Sequence, residues 1–532
     1  MLKNYLNEFR FDNWSKVVKS GNEFRFNNFS KIVKSGVVNS LNFYYNSSIF
    51  IRHFTFINQF TMPNNYQSWG RYPYTLQRAI PLRWRNQPLP VPENTGETLL
   101  PYGLGRSYGD VCLNDRGIIL TTGDLNHFIS FEVETGILRC EAGVSLGEIL
   151  ELVVPAGWFL PTTPGTKFVT MGGAIANDVH GKNHHGAGTF GRHVLQFELL
   201  RSNGERLLCS PTSNQSYYAA TIGGLGLTGL ITWAEIKLQK IHHRAMQTET
   251  LVFANLEEFF ELTQQSDQYF DYTVSWIDCT AQDNQLGRGV FFRGNHVKLE
   301  EVPAKWKVPS RTIKMPMNLP SIALNGWTVS KFNEWYYNYQ KKKSAPQLQD
   351  YDPFFYPLDA ILNWNRLYGK RGFLQYQCVV PTEEPQVIKE LLQIISTAGL
   401  SSFLAVLKTF GEIVSPGMMS FPRKGVTLAL DFPLKGAKTF ELLERLDDLV
   451  RAAKGAVYLA KDARLSTRNF QIYYPQWTEF AKYIDPKFSS SLWRRVTGPQ
   501  TTTMNTPTAT VTPKIVNISQ PELEVTPTNT FL

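Results

Sequence analysis

Three glycine-rich segments between residues 103 and 229 limit the possible folds of this 532-residue chain more than any other feature. They read GLGRSYG at Gly103–Gly109, TMGGAIAN at Thr170–Asn177 and GLGLTG at Gly224–Gly229. Glycine lets the backbone come close to another group and brings several N–H groups together, which suits a bound pyrophosphate. A tight loop without a ligand gives the same pattern, so glycine content alone leaves both interpretations open.

Two common kinds of site are disfavoured by the residues near these segments. The third segment matches GxGxxG, but Leu230–Leu238 after it reads LITWAEIKL, a strand pattern, whereas a dinucleotide fingerprint needs a helix there. Three histidines follow the second segment with no Cys or Glu close by: His180, His184 and His185. Gly181 interrupts helical spacing between them. We therefore expect neither an NAD-binding Rossmann site nor a metal site.

The first part of the folded body, to about Lys240, has the pattern of short strands joined by turns. Asn203-Gly204 is a strong hairpin signal, and Thr170 is a good N-cap for a short helix through Asn177. The other expected elements are the strand Ile118–Thr122, the hairpin Phe128–Glu132 with Ile137–Cys140, the helix Val144–Val154, and the strands Val194–Leu200 and Glu205–Cys209.

The second part alternates strands with amphipathic helices. The expected elements are the strand Gly372–Val380, the helix Pro385–Ala398, the strands Phe403–Thr409 and Val426–Phe432, the helix Thr439–Lys454 and the strand Ala456–Ala460. In the first helix, the expected apolar face is Val387, Leu391, Ile394, Ile395 and Ala398. This order of elements predicts an antiparallel sheet with helices on one face, and an α+β fold overall.

Alternation along two of these strands predicts a polar face on the side of the sheet away from the helices. Gln375 and Gln377 lie on that side of one strand, opposite Leu374, Tyr376 and Cys378. The other strand places Thr427, Ala429 and Asp431 opposite Leu428, Leu430 and Phe432, and Lys408 and Lys461 close or follow neighbouring strands. The pattern fits the wall of a pocket for a polar ligand and fits a solvated face equally well.

Charge and cysteine content exclude several classes of protein. The formal net charge is +9, but residues 1–61 hold eight basic and three acidic residues, leaving only +4 for the other 471. A nearly neutral body weakens any nucleic-acid interpretation.

The five cysteines are odd in number and form no CxxC, which fits a reducing compartment and argues against disulfides or zinc. No run reaches the roughly 18 apolar residues of a membrane span.

Both ends of the chain differ from the body. Asn7–Gly21 and Asn22–Gly36 form a tandem repeat with 12 of 15 positions identical, too short for a solenoid unit. We expect residues 1–66 to be a mobile basic extension; alternatives are upstream sequence before a natural start at Met62, or a surface-binding arm. Residues 497–532 are rich in Thr and Pro and are expected to be a disordered tail.

From about Trp69 to Arg495 the chain resembles the FAD-linked oxidases with a p-cresol methylhydroxylase-type (PCMH-type, vanillyl-alcohol-oxidase-like) flavin domain. Within that family it most resembles the oxidases of polyprenyl-phosphoryl ribose, and its C-terminal half resembles the D-arabinono-1,4-lactone oxidase C-terminal domain. The motifs that carry the resemblance are GLGRSYGD, LPTTPGT, VTMGGAIANDVHGKNHHGAGTFG, GGLGLTG, GFLQYQ and YLAKDARL, in that order. The resemblance implies an FAD-binding domain at 67–240, a substrate domain at 241–450 and a segment at 451–496 returning to the flavin domain.

The resemblance also implies site residues and a non-covalently bound FAD. The implied FAD-contact residues are Gly103, Gly105, Arg106, Ser107, Tyr108, Gly109, Gly165, Thr170, Gly172, Gly173, Asn177, His180, Ile231 and Tyr458. Gly103–Gly109 and Gly172-Gly173 would hold the pyrophosphate. The implied substrate-pocket residues are Lys182, Trp276, Gln375, Gln377 and Lys408. Lys461 is the expected polar group on the reacting hydroxyl, as base or as cation, with Tyr108 and His180 in support.

The implied activity is oxidation of a secondary alcohol of a lipid-linked sugar of cell-envelope synthesis, the first half of an epimerisation. A separate NADH-dependent reductase would complete it, and oxygen or a quinone would reoxidise the flavin. A cytoplasmic location with peripheral membrane contact is expected. Alternatives are a soluble sugar-lactone or alditol oxidase, and a non-catalytic flavin- or surface-binding protein. Thr427, Ala429 and Phe355 depart from the family's residues, and these departures leave the identity of the substrate open. The aromatic insertion Val302–Tyr339 is expected to be flexible, and an apolar groove for a lipid is expected there.

Overall fold

The computed structural model describes residues 66–92, 96–303, 306, 313–319, 324–343, 345–400 and 402–498. All of them fall in one unit, Pro63–Leu532. The tandem repeat and residues 499–532 of the Thr/Pro-rich tail lie outside the described residues, so both expectations stay predictions there; Thr497, where the tail was expected to begin, is the last residue of a helix. None of the described helices combines the length and the apolar character needed to cross a bilayer.

Twenty strands and twelve α-helices are found in the described residues. The strands are β1 Arg78–Pro81, β2 Leu99–Tyr102, β3 Ile118–Thr121, β4 Phe128–Glu132, β5 Ile137–Glu141, β6 Trp158–Phe159, β7 Val194–Leu200, β8 Arg206–Cys209, β9 Leu230–Lys237, β10 Gln239–Lys240, β11 Ala245–Phe253, β12 Tyr272–Ile277, β13 Gly289–His296, β14 Ile313–Lys314, β15 Gln347–Asp350, β16 Ile361–Leu362, β17 Phe373–Val380, β18 Ala405–Phe410, β19 Gly425–Pro433 and β20 Ala456–Val457. The helices are α1 Leu146–Val153, α2 Met171–Ala176, α3 His184–Ala187, α4 Gln215–Thr221, α5 Leu256–Ser266, α6 Gly326–Lys341, α7 Tyr351–Phe355, α8 Pro385–Ala398, α9 Ala437–Ala452, α10 Thr467–Tyr473, α11 Trp477–Ala481 and α12 Ser491–Thr497.

The first part of the chain builds a three-stranded parallel sheet in the order β1-β3-β2 and a five-stranded sheet in the order β4-β5-β9-β7-β8. The two predicted hairpins are confirmed, because β4 pairs antiparallel with β5 and β7 with β8. The helix predicted from Val144 begins at Leu146, since Ser145 caps it and forms a capping box with Glu148. The strand predicted after the third glycine segment is also confirmed as β9.

The second part builds an eight-stranded antiparallel sheet in the order β15-β11-β13-β12-β18-β19-β17-β20. Its apolar face packs with α8 and α9 into one core that includes Leu374, Tyr376 and Leu428, as alternation predicted. The predicted apolar face of α8 was rotated by about one residue. The buried side chains are Ile388, Leu391, Leu392 and Ile395, whereas Val387, Ile394 and Ala398 only border the core.

The last predicted strand is shorter than its apolar sequence indicated. Only Ala456–Val457 pairs with β17, and the chain then turns, with the carbonyl of Tyr458 accepting hydrogen bonds from the N–H of Lys461 (3.0 Å) and of Asp462 (3.2 Å). Residues 458–460 are apolar because they are buried, not because they extend a strand. Further along, Phe488 bridges to Leu99 of β2, so the chain returns to its first part; the domain limits themselves stay a prediction.

The aromatic insertion contains regular structure in its described residues. Gly326–Lys341 forms helix α6, whose N-terminus is capped by the side chain of Asn325. The segment expected to be flexible is therefore helical over residues 326–339. Several aromatic residues of this segment recur at helical spacing, which favours a helix over an irregular loop.

We predict that a shortened chain spanning Met62–Thr497 retains flavin and activity. Neither removed end has apolar periodicity able to bury a core, and the cut after Thr497 leaves α12 whole. The flavin-to-protein ratio and the turnover rate of the shortened chain should match those of the full chain purified in parallel. Loss of flavin on trimming either end would contradict these limits of the folded body.

Candidate active site

A cavity of about 330 Å³ lies where the glycine-rich segments meet the polar face of the eight-stranded sheet. Thirteen of the fourteen implied FAD-contact residues line it, and Gly109 is the exception. The expected catalytic residues Lys461, Tyr108 and His180 line it as well, together with Gln375, Gln377 and Lys408. Segments far apart in sequence therefore meet at one place, and the polar face of the sheet is the wall of a cavity.

The first glycine segment offers backbone N–H groups to this cavity. Gly105 has a φ of +61°, and a Cβ there would overlap the hydroxyl of Tyr102, so this turn requires glycine. The N–H groups of residues 104–107 donate no hydrogen bond within the described part of the chain. Grouped N–H donors without partners fit an anion such as a pyrophosphate.

The second glycine segment has a different role in the geometry. The N–H of Gly172 donates to the carbonyl of Ala142 (2.8 Å), and that of Gly173 donates to the Thr170 hydroxyl (3.1 Å). These two donors are already used, so the glycines provide room: a Cβ on Gly172 would lie 3.0 Å from the Cβ of Ala142. The N-cap role predicted for Thr170 is confirmed.

Gly109 lies behind the cavity wall, where a Cβ would overlap the backbone carbonyl of Asp462. This close approach joins the first glycine segment to the residue that follows Lys461. The third glycine segment also contributes, since Gly226 and Gly229 line the cavity. A dinucleotide fingerprint was not expected at this segment, because no helix follows it. The two glycines nevertheless line the cavity, because the fold brings them there.

The polar face of the sheet carries a hydrogen-bonded group around His180. The Gln377 amide nitrogen lies 2.9 Å from His180 Nε2 and 3.2 Å from the Thr427 hydroxyl. An amide nitrogen only donates, so Nε2 accepts and the ring proton is on Nδ1, which has no partner among the described residues. Burial, with nearby Lys408, lowers the pKa of His180 well below its usual value, so the ring is neutral at pH 7.

Lys461 reaches the cavity from the turn after β20. Its Nζ lies 3.8 Å from the centroid of the Tyr108 ring and donates no hydrogen bond within the described residues. Burial lowers the pKa of Lys461 to about 7, an effect that the nearby Asp431 partly offsets. The amine is therefore available to a ligand and exchanges a proton near neutral pH.

Lys408 and Lys182 are buried nearby but are held differently. Lys408 Nζ donates to the carbonyl of Gly181 (3.0 Å), and burial together with Lys182 and Lys461 lowers its pKa to about 7. Lys182 does not line the cavity; its Nζ lies 5.5 Å from the ring of Phe354, and burial lowers its pKa to about 8. Trp276 does not line the cavity either, and its indole N–H donates to the carbonyl of Phe403 (3.0 Å).

Two acidic residues that the sequence pattern did not assign to the site support it. Asp431 Oδ1 accepts a 2.6 Å hydrogen bond from the Gln375 amide, and burial raises its pKa to about 7. Asp178 is fully buried and accepts hydrogen bonds from the Ser415 and Ser420 hydroxyls, which fixes the loop two residues before His180. Alternation had placed Asp431 on the polar face, but its partner follows only from the register of β17 against β19.

The residues present fit an FAD. Arg106 lies beside the unpaired N–H groups, its guanidinium stacks 4.2 Å from the Trp69 ring centroid, and its buried Nε has no partner among the described residues. A Cβ on Gly165 would meet nothing within 4 Å, so this turn leaves space in the lining. An unpaired cationic donor next to free N–H groups suits a phosphate, and the apolar part of the lining suits a flavin ring.

We predict that bound FAD is not covalently attached. The first glycine segment has Arg106, Ser107 and Tyr108 where histidyl attachment needs a His. Cys112 lines the cavity, but burial raises the pKa of its thiol to about 12, so it is a poor nucleophile. Acid precipitation should release all flavin into the supernatant. Flavin that stays with the washed precipitate would contradict this, and Cys112→Ser would then show whether that thiol is the attachment point.

The comparisons with known proteins agree with this site. A family described as FAD binding domain matches residues 91–210. The chain is 36% identical over 420 residues to decaprenylphosphoryl-β-D-ribose oxidase of Mycolicibacterium smegmatis, covering 76% of this chain and 90% of that protein. It is 30% identical over 372 residues to an uncharacterized protein of Streptomyces coelicolor, covering 66% of this chain and 100% of that one. Human Δ(24)-sterol reductase is 27% identical over 115 residues, 22% of each chain.

Proposed function

Because the chain belongs to the FAD-dependent oxidase family that includes decaprenylphosphoryl-β-D-ribose oxidase, we propose that it oxidises a secondary alcohol of a polyprenyl-phosphoryl ribose or related lipid-linked sugar to a ketone. The protein is an FAD-dependent oxidoreductase. The observation that carries the proposal is the convergence of Gln375, Gln377, Lys408 and Lys461 on the cavity that the glycine segments line.

The polar wall suits a sugar. The amides of Gln375 and Gln377 project from alternate positions of β17, and the Oε1 of each can accept from a sugar hydroxyl. Gln375 also keeps one N–H to donate, whereas Gln377 uses both of its N–H groups on His180 and Thr427. Both amides are already fixed, by Asp431 and by His180 with Thr427, so their orientation costs little on binding. Lys408, tied to the Gly181 carbonyl, adds a positively polarised donor suited to a phosphate or hydroxyl oxygen.

Oxidation of an alcohol removes a hydride from carbon and a proton from oxygen. When bound, FAD supplies the acceptor for the hydride. We assign the proton to Lys461, because its amine has no hydrogen-bond partner among the described residues and its pKa of about 7 lets it accept a proton at neutral pH. Tyr108 packs under this amine, and neutral His180 holds Gln377 in place.

Several further assignments belong to the same proposal. FAD binds chiefly within residues 67–240 with help from 451–496, and the sugar binds within 241–450. The keto-sugar passes to a separate NADH-dependent reductase that completes an epimerisation, and oxygen or a quinone reoxidises the flavin. We also propose a cytoplasmic location with peripheral membrane contact; the five free cysteines fit a reducing compartment.

A substrate panel tests this function against oxidation of soluble sugars. The full-length protein would be mixed anaerobically with a polyprenyl-phosphoryl ribose, an aldono-1,4-lactone and an alditol, and loss of flavin colour followed. We expect rapid bleaching by the lipid-linked ribose only. Preference for the lactone or alditol would establish a soluble-substrate oxidase instead, with Thr427 and Ala429 in the wall as the first places to look for the reason.

A further inference from the structure

We propose that the exposed face of helix α6 docks on the surface of an anionic lipid bilayer. This face consists of Trp327, Lys331, Phe332, Trp335 and Tyr339, and is called the α6 face below. The inference extends the proposed membrane contact, but it rests on separate observations, and its vesicle-binding measurement needs no substrate.

The α6 face exposes large aromatic side chains that a helix normally buries. Trp327 is 71% and Trp335 58% exposed, and the side chains of Phe332 and Tyr339 are exposed as well. The residues 327, 331, 335 and 339 are spaced four apart, so they form one stripe along the helix. The opposite side of α6 is already used, since Val329, Asn333 and Gln340 are buried against the body.

Neighbouring aromatic rings on this face support one another. Trp335 stacks on Tyr339 at 5.4 Å between ring centroids, and Phe332 lies 5.9 Å from Trp335. Lys343 Nζ lies 4.5 Å from the Tyr339 ring. Indole and phenol rings with lysines beside them are typical of elements that lie in the headgroup region of a bilayer, where the rings enter the interface and the amines stay with the phosphates.

The charge of the sequence around α6 determines which surface it fits. Residues 302–343 contain eight basic residues and one acidic residue, Glu334, a net +7, and residues 1–61 carry +5. The rest of the chain therefore has a net −3 out of the total +9. Within the helix, Glu334 pairs with Lys331, while Lys342 and Lys343 follow at its C-terminal end. The described residues 324–343 alone hold four lysines against Glu334, and lysines beside exposed aromatics complement an anionic lipid surface.

Ring contacts lead from the α6 face to the cavity. Phe332 lies 6.1 Å from Phe403, which stacks on Tyr368 at 5.7 Å. Tyr368 stacks on Phe373 at 4.2 Å, and Phe373 meets Tyr108, the residue beneath Lys461. The α6 face thus adjoins the wall of the site through a short series of aromatic side chains. An enzyme docked by this face would hold its cavity near lipid headgroups, where a lipid-linked sugar resides.

The test is binding of the full-length, FAD-loaded protein to sedimented vesicles of phosphatidylcholine with or without phosphatidylglycerol. We expect binding to the anionic vesicles, and a loss of about tenfold or more in partitioning for the double variant Trp327→Ser/Trp335→Ser. Trp84→Ser is the matched control, because Trp84 is also an exposed tryptophan but lies in the first part of the chain. It should bind vesicles like the unchanged protein.

Flavin content reports whether the double variant folds, and flavin reduction by a water-soluble, short-chain phosphoryl ribose should be unchanged in it. Failure of the unchanged protein to bind anionic vesicles, or equal binding by the double variant, would overturn the proposal without affecting the proposed oxidation. Binding of RNA or of a second copy of this chain that depends on Trp327 and Trp335, with none to vesicles, would also overturn it. Failure of the soluble analogue to bleach the flavin would count against the oxidase function only.

Discussion

Replacing Lys461 with Met is expected to lower substrate-driven flavin reduction by about two orders of magnitude or more, the usual effect of losing an acid–base or electrostatic group. Met keeps the length and apolar stem of the side chain but removes its proton acceptor. Flavin content should not change, because Lys461 Nζ makes no hydrogen bond within the described residues. Stopped-flow measurement of flavin colour with saturating substrate gives the rate directly.

The pH dependence identifies the role of the amine. The pKa of Lys461 is about 7, so the fraction of neutral amine, and with it the rate of flavin reduction, should rise as pH passes through about 7 and then level off. Lys461→Met should lack this rise. Lys408→Met is the matched control, because the pKa of Lys408 is also about 7 but its Nζ is tied to Gly181; it should weaken substrate binding and keep the rise. A rate that falls above pH 7 would assign Lys461 as a cation instead.

The same variant should fold at least as stably as the unchanged protein. Burial lowers the pKa of Lys461 to about 7 in the folded protein. At pH values between about 7 and the ordinary pKa of a lysine, the folded protein therefore binds fewer protons at this residue than the unfolded protein does. The free energy of unfolding of the unchanged protein therefore increases with pH across that window. Below about pH 7 the Lys461 amine is charged in the folded protein, and its burial is then unfavourable. A large drop in melting temperature for Lys461→Met would show that Lys461 has a structural role.

Replacing Arg495 with Met is expected to destabilise the protein by about 3–5 kcal/mol, since it removes the ion-pair partner that two buried carboxylates share. Arg495 donates to both oxygens of Asp110, at 2.9 and 2.7 Å, and to Asp462 at 2.8 Å. Asp110 follows Gly109 and Asp462 follows Lys461, so this one side chain ties α12 to both halves of the site. We expect loss of FAD as well as a lower free energy of unfolding in urea.

Lys482→Met is the control for this prediction, because its pair with Glu479 is exposed and should leave the melting temperature unchanged. Arg495 and Arg464 lower the pKa of Asp462. The stabilisation that the Arg495–Asp462 pair provides is therefore present at pH values above the ordinary pKa of an aspartate, and it is lost as the pH falls through the lowered pKa. An Arg495→Met variant with unchanged urea midpoint and full flavin content would refute the assignment.

The sequence predicted those parts of the site that depend on local periodicity. Gln375 and Gln377 were placed on the face away from the helices because side chains alternate along any strand, and the structure confirms that placement. The N-cap of α2 was also predicted from a local rule, since capping involves residues three apart in sequence. Local rules therefore identified the polar face of the sheet, but they left open whether that face was the wall of a pocket or a solvated surface.

Features that depend on long-range contact were not predicted from local patterns. The bond of Asp431 to Gln375 follows from the register of two strands, and the placement of Gly226 and Gly229 in the lining follows from packing between distant segments. The turn after Val457 was taken for a strand because burial selects apolar residues in both. Helix α6 was taken for a flexible insertion, and the side of it that packs on the body carries the polar residues Asn333 and Gln340 beside Val329, which is not a pattern that predicts a buried helix face.

A single anaerobic turnover tests the central claim most directly. The FAD-loaded protein would be mixed with one equivalent of polyprenyl-phosphoryl ribose without oxygen, and flavin colour and sugar product measured together. We predict complete loss of flavin colour and one keto-sugar formed per flavin, with Lys461→Met slower by about two orders of magnitude. Unchanged flavin colour with this substrate, or bleaching that yields a product other than the ketone, would contradict the account.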